Sequence, residues 1–239
     1  MPTYKLYYFN GKGFGELSRY LFALGQQEYE DNRFGDDLNW EDLKVSAPFG
    51  RAPFLEIDGE RFGQSVSIAR YLANAFNLAG KTDLEKLKAD GIDGERFGQS
   101  VSIARYLANA FNLAGKTDLE KLKADGIIDC IHKDIISKFL AFHFEKDEER
   151  KAGIKKEMLE NTNEMYKKLE KQVSGENSFL SSGLSWADVA FYNFHSDLYA
   201  DRFEAIDLTS TPKLKNILDH VSSNEHIKSW IEKRPVTEG

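Results

Sequence analysis

The sequence predicts an α/β domain at the N-terminus followed by an all-α domain, and three observations predict it. Strand-like aromatic and alternating segments are confined to the first third of the chain; apolar residues at helical spacing take over afterwards; and the two regimes meet at a segment that occurs twice. Residues Ile57 to Gly91 return without one substitution as Ile92 to Gly126, thirty-five positions later. Solenoid repeats diverge, come in three or more copies and fill most of a chain. This pair does none of these and reads as a recent tandem duplication or an assembly error.

Composition narrows the class. With 239 residues, 41% hydrophobic and 30% charged, the chain has the balance of a soluble globular protein of one or two domains. A net charge of −7 and a pI of about 5.4 argue against a nucleic-acid partner, whose phosphates need clustered Lys and Arg. The start Met1-Pro2-Thr3-Tyr4-Lys5 lacks the apolar core of a signal peptide, and no stretch approaches the roughly eighteen apolar residues that span a bilayer, so a cytoplasmic protein without a membrane partner is expected. One cysteine, Cys130, excludes an internal disulfide and a CxxC pair, and five scattered histidines give no metal-binding spacing; no metal is expected.

Taken in order, Tyr4 to Phe9 alternates as a first strand, and Asn10-Gly11-Lys12-Gly13-Phe14-Gly15 turns it into a helix carrying Leu17, Tyr20, Leu21 and Leu24. The strand, glycine loop and helix invite a dinucleotide reading. The third glycine of that fingerprint falls at Glu16, however, whose carboxylate would repel a pyrophosphate at the helix start. Tyr29 to Phe34 reads as a second strand and Trp40 to Val45 as a short helix. Pro53 enters the third strand, either as an ordinary strand-start proline or as a cis Ala52-Pro53 bond in a tight turn. Phe54 to Ile57 and Arg61 to Gly63 form a hairpin through Asp58-Gly59.

Gln64-Ser65 then opens a helix in which Ile68, Leu72 and Phe76 recur every fourth position, with Ser65 standing at the N-cap. Such a helix N-terminus is either simply capped or a seat for a carboxylate or phosphate. The order βαβαββα is the outline of a thioredoxin-like domain, placed at residues 1–80. Residues 81–117 hold the second copy of hairpin and helix, and 118–239 the all-helical domain. That domain begins with a long helix from Asp118 to Phe144 and another from Glu148 to Val173. Ser185 and Asp188 form a helix-start box whose role is structural, and Thr211-Pro212 starts a further helix.

Several motifs together resemble the cytosolic glutathione transferases, in particular the sigma class that includes glutathione-dependent prostaglandin D synthases. They are Tyr4 to Asn10, Pro48-Phe49-Gly50-Arg51-Ala52-Pro53, Gln64 to Ala73, the Ser185 to Asp188 box and Trp230 to Pro235. The resemblance implies the glutathione transferase fold, glutathione as co-substrate with a small hydrophobic second substrate, and a homodimer. Tyr8 matches the catalytic tyrosine, although taken alone it also fits a core aromatic. Gln64 and Ser65 match the pair that holds the γ-glutamyl carboxylate, Ala52 and Pro53 the backbone edge that pairs with the cysteinyl unit, and Trp40, Lys44, Gly50 and Arg51 positions around the glycyl end.

Two departures bear on activity. The family usually has an arginine where Phe14 stands, and the family's aspartate on the first long helix is not assigned, since Asp129 is followed by Asp134, one residue beyond the expected spacing. The activity implied is conjugation of reduced glutathione to hydrophobic electrophiles, with endoperoxide isomerisation as a related reaction. A rival of another class is a binding or structural protein of the same fold, as in lens crystallins. The identical copies pose a last question. If copy one serves, the extra residues lengthen the connection to the first long helix; if copy two serves, they open a hairpin turn. Loop-closure entropy favours copy one by about half a kcal/mol. Ala79 to Ala114 then forms an excursion in which Ile103, Leu107 and Phe111 need cover.

Overall fold

The computed structural model describes residues 2–35, 38–82, 85–86, 92–93, 96–97, 100–132, 137–199, 203 and 208–234. The chain divides into two compact units, Met1–Asp129 and Cys130–Gly239.

In the first unit, strands β1 (Tyr4–Phe9), β2 (Glu30–Phe34), β3 (Phe54–Ile57) and β4 (Glu60–Gly63) form one sheet in the order β2-β1-β3-β4. β1 and β2 run parallel; β1–β3 and β3–β4 are antiparallel. Helix α1 (Glu16–Leu24) links β1 to β2, α2 (Trp40–Lys44) follows β2, and α3 (Ser65–Ala75) leaves β4. Asp58 and Gly59 both take positive φ, 49° and 90°, as a two-residue hairpin turn requires. Alternation along β1 sends Tyr4 and Leu6 to one face, where they pack with Phe22, Leu55, Ile57, Phe62, Ile68 and Leu72. Tyr7 goes to the other face, with Phe34, Ala47 and Phe54.

Of the apolar residues read along α1, Leu21 packs partly buried on the cluster with Phe22, while the other three turn outward. Leu17, Tyr20 and Leu24 are exposed, while Ser18, Arg19 and Phe22 point inward. Phe22 decides this: its ring stacks on Tyr29 at 4.1 Å and lies edge-on to Tyr4 at 5.4 Å, and Arg19 follows it into the interior because carboxylates await it there.

Copy one of the repeat completes this sheet; copy two does not join it. Its hairpin, β5 (Ile92–Asp93) with β6 (Arg96–Phe97), is a separate two-stranded sheet. Ile92 pairs with Phe97, whereas in copy one Phe62 pairs with Leu55 and Ile57 pairs with Glu60. The register differs because the duplication begins at Ile57, the last residue of β3, so copy two carries no equivalent of Phe54-Leu55-Glu56. The copy-two helix, α4 (Ser100–Ala110), turns Ser102, Arg105 and Ala108 inward and leaves Ile103, Leu107 and Phe111 at 38%, 42% and 66% exposure. Their copy-one counterparts Ile68 and Leu72 are at 0%.

The chain rejoins the core in α5 (Asp118–Cys130), where Leu122 packs on the sheet cluster. Asp125 of α5 takes Arg70 Nη1 on one oxygen at 2.9 Å and Arg105 Nε on the other at 2.8 Å, so one carboxylate clamps the same residue of both copies. Asp129 accepts from the Ser67 hydroxyl at 2.8 Å.

In the second unit helices run over α6 (Ser137–Phe144), α7 (Glu148–Glu170), α8 (Trp186–Tyr192), α9 (Pro212–Ser223) and α10 (Glu225–Lys233). The single long helix expected over 118–144 is described as α5 and α6; Asp134 lies outside the described residues. Asp147 caps α7 by accepting the Arg150 N–H at 2.9 Å. The box at α8 is formed, with the Asp188 carboxylate accepting the N–H groups of Ser185 and Phe179, both at 2.7 Å. Burial pushes the Asp188 carboxyl above its ordinary range while these donors work against that shift.

Candidate functional site

The strand register gathers the expected site residues at one end of the sheet. Tyr7 pairs with Phe54 and Phe54 with Gly63, so these three form a row across β1, β3 and β4. Each has a site residue as its chain neighbour: Tyr8 follows Tyr7 in β1, Pro53 precedes β3 and Gln64 follows β4. Because β2 runs parallel to β1, with Phe9 beside Phe34, the chain leaves β2 at the same end and enters α2 there. Trp40 at the start of α2 packs against Phe34 and Phe9, with ring centroids 5.1 and 5.8 Å apart.

The backbone here is unusual. The Ala52-Pro53 bond is cis, the second of the two readings of that proline. Phe49, Gly50 and Gln64 have φ of 56°, 60° and 72°, left-handed values that cost energy for Phe49 and Gln64 and concentrate where a fold holds a functional shape. Gly63 lets the Pro48-Phe49 turn approach: a Cβ there would stand 2.9 Å from the Phe49 ring and 3.0 Å from Pro48. Pro48 and Phe49 are thereby pressed against the end of β4.

The β4–α3 junction departs from expectation in one respect. Ser65 is the first residue of α3 and Gln64 is its N-cap, since the Gln64 carbonyl accepts the Ile68 N–H at 3.0 Å. The left-handed Gln64 backbone makes the turn one residue earlier than a serine cap would. No residue of the first turn of α3 is itself acidic; the nearby carboxylate of Asp129 is engaged by the Ser67 hydroxyl at 2.8 Å.

Of the cations expected nearby, Lys44 pairs loosely with Glu41 at 3.5 Å and is half exposed, and Arg51 is exposed. The copy-two residue Gln99 lies outside the described residues, and Ser100 is exposed at the start of α4. Among the described residues no group of His, Cys, Asp or Glu could hold a metal ion, and no helix is long and apolar enough to cross a membrane.

Tyr8 is held from behind by the glycine loop. Its hydroxyl accepts the Phe14 N–H at 3.0 Å, and its ring lies so close to Gly15 that a Cβ there would stand 2.6 Å from Cδ1. Phe14 turns its own ring to solvent at 71% exposure, so the contact to Tyr8 from this position is made by backbone. Behind the loop lies Arg19, 7% exposed, which donates to the Gly11 carbonyl at 2.7 Å, to Glu16 at 2.9 Å and to Asp31 at 3.1 Å. Burial acts to lower the Arg19 pKa, the two carboxylates act to raise it, and the net shift is upward: the guanidinium is charged. Arg33 joins Asp31 to the Asn10 side chain. Reading the sequence passes over Arg19 and Gly15; the available signal is a cation three residues after Glu16 on a helix whose neighbouring strand contains Asp31.

A four-stranded sheet of mixed parallel and antiparallel pairing, a cis-proline before β3 and a helix leaving β4, followed in sequence by a helical unit, make up a thioredoxin-like domain with an all-helical C-terminal part. Residues 133–234 match the family model described as glutathione S-transferase, C-terminal domain. The chain is 35% identical over 243 residues to "Glutathione S-transferase S1" of Drosophila melanogaster, covering 99% of this chain and 80% of that protein. It is 35% identical over 240 residues to "Probable glutathione S-transferase 5" of Caenorhabditis elegans, and 30% over 240 residues to "Hematopoietic prostaglandin D synthase" of Gallus gallus, each alignment covering 99% of both chains. The chain belongs to the glutathione S-transferase family.

Proposed function

We propose that this protein conjugates reduced glutathione to small hydrophobic electrophiles, using Tyr8 to stabilise the glutathione thiolate. The observation that carries the reading is that the paired row Tyr7, Phe54, Gly63 is flanked on one side by Tyr8 of β1, by the cis Ala52-Pro53 bond before β3 and by Gln64 at the start of α3. A free thiol with a pKa near 8.5 is only a few per cent ionised at neutral pH; a phenolic O–H donated to sulfur favours the anion and raises the concentration of nucleophile. Gln64 and Ser65 would hold the γ-glutamyl carboxylate on the free N–H groups of α3. Ala52 and Pro53 would offer the backbone edge to the cysteinyl unit, and Trp40, Lys44, Gly50 and Arg51 would surround the glycyl carboxylate, which Lys44 and Arg51 suit by charge.

The same reading places the chain in the sigma class, with endoperoxide isomerisation as a related reaction, a cytoplasmic location and a homodimeric assembly. Relatives named prostaglandin D synthase at about 30% identity support the first two points. Light scattering on the purified chain tests the assembly.

The deciding measurement is turnover of a chromogenic electrophile with glutathione. Tyr8→Phe is expected to keep the fold and glutathione binding and to lower kcat about a hundredfold, the size of a lost positioned proton donor. Equal turnover of wild type and Tyr8→Phe between about pH 6 and 8 would remove Tyr8 from the mechanism. Retention on glutathione resin with no rate above buffer would instead favour a binding or structural protein of this fold.

A further inference from the structure

We infer that Arg19 is a positioning residue for Tyr8, acting through the Gly11–Glu16 loop to aim the tyrosine hydroxyl; this rests on the proposed thiolate role of Tyr8. A phenol oxygen rotates its O–H about the C–O bond, and only one orientation serves a sulfur in front of it. The Phe14 N–H, 3.0 Å from the oxygen, occupies an acceptor direction from behind and leaves the proton to point away from the loop. That N–H is useful only while the loop holds it there.

The loop has little intrinsic stiffness, since Gly11, Gly13 and Gly15 give it backbone freedom. Its own hydrogen bonds run from Gly11 N–H to the Phe9 carbonyl and from Gly15 and Glu16 N–H to the Lys12 carbonyl. Arg19 ties the two ends together. One nitrogen, Nη1, grips both the Gly11 carbonyl at the entry and the Glu16 carboxylate at the exit, while Nε is anchored on Asp31 of β2. The guanidinium is almost wholly buried, so these bonds are not exchanged for water. The same contact neutralises Glu16, whose charge at the helix start would otherwise oppose an anionic sulfur nearby. Since Phe14 offers no cation of its own, the aim of the Tyr8 hydroxyl depends on this backbone device.

A lysine at position 19 keeps the charge but cannot reach Gly11, Glu16 and Asp31 at once, because a point donor lacks the planar fork. The test is Arg19→Lys in the wild-type and in the Tyr8→Phe background, with three readings: the pKa of bound glutathione from its ultraviolet thiolate band, kcat, and KM for glutathione. In the wild-type background the thiolate fraction at neutral pH and kcat should each fall about tenfold, with KM within about twofold. In the Tyr8→Phe background Arg19→Lys should cost less than about twofold, because there is no hydroxyl left to aim. An undiminished loss in that background overturns the inference alone, since Arg19 would then serve the fold in general. A wild-type protein whose bound glutathione shows no thiolate band overturns the functional reading and this inference together. Asp31→Asn, which loosens the anchor while keeping its shape, is the second variant should Arg19→Lys not fold. It should shift the thiolate pKa upward in the same Tyr8-dependent way, and an unmoved pKa overturns the inference.

Discussion

Ile68 and Ile103 stand at the same place in two identical segments, as do Leu72 and Leu107, yet the first of each pair is sealed in the core and the second lies at the surface. Local propensity cannot separate them, because every residue from Ile57 to Gly91 has its twin. What differs is what precedes and follows. Copy one is preceded by β3, which pairs with β1 and leaves its hairpin and helix no distance to travel. Copy two is preceded by the tail of copy one and ends within α5, whose Leu122, a copy-two residue, the core does use. The fold therefore takes its hairpin and α3 from copy one and its α5 from copy two, and the excess is left between. Burying two such aliphatic side chains is worth about 3–6 kcal/mol in all, which copy one gains and copy two forgoes. Copy two gains instead the polar clamp of Arg105 on Asp125. The lesson is that a helix with a good apolar face still needs an unfilled socket.

The sharpest way to break the comparison is a matched pair of truncations. Leu72→Ala should lower unfolding free energy by about 2–5 kcal/mol, a cavity in a filled core, while Leu107→Ala should stay within about 0.5 kcal/mol. Urea denaturation reads both. Equally small losses would mean that the two helices substitute for one another in one socket. The next effect concerns Asp125, the point at which both copies meet α5. Asp125→Asn should cost about 1.5–3 kcal/mol by removing the charge that Arg70 and Arg105 share. The comparison sharpens if Arg70→Met and Arg105→Met are each smaller than Asp125→Asn and non-additive; an unmoved urea midpoint would show that neither helix depends on the clamp. The smallest effect is on ligand binding. Replacing Gln64 and Ser65 by alanine should weaken glutathione binding at least tenfold, about 1.4 kcal/mol, by calorimetry, and the same change at Gln99 and Ser100 should leave it unchanged. The reverse result would assign the site to copy two.

Much of the site is legible in the amino-acid sequence. The hairpin at Asp58-Gly59, the proline at position 53 and the polar pair opening a helix are local signals, set by φ preferences and by orphan N–H groups within a few residues. The position of the helix cap is misread by one residue, because the turn is made by a left-handed Gln64 that no propensity announces. The face of α1 is misread for another reason. Leu17, Tyr20 and Leu24 form the better apolar stripe in sequence, but Phe22 has Tyr29 and Tyr4 to pack against, and Arg19 has Glu16 and Asp31.

The sequence by itself determined the succession of strands and helices, the duplication, the absence of clustered basic charge and the motifs around Tyr8, Pro53 and Gln64, all of which rest on interactions spanning a few residues. Only the tertiary structure decided which of two identical helices is buried, which face of α1 turns inward and that Arg19 ties the loop behind Tyr8. Each of these depends on partners distant in sequence, and burial is awarded by the space those partners leave, to which a local pattern carries no reference.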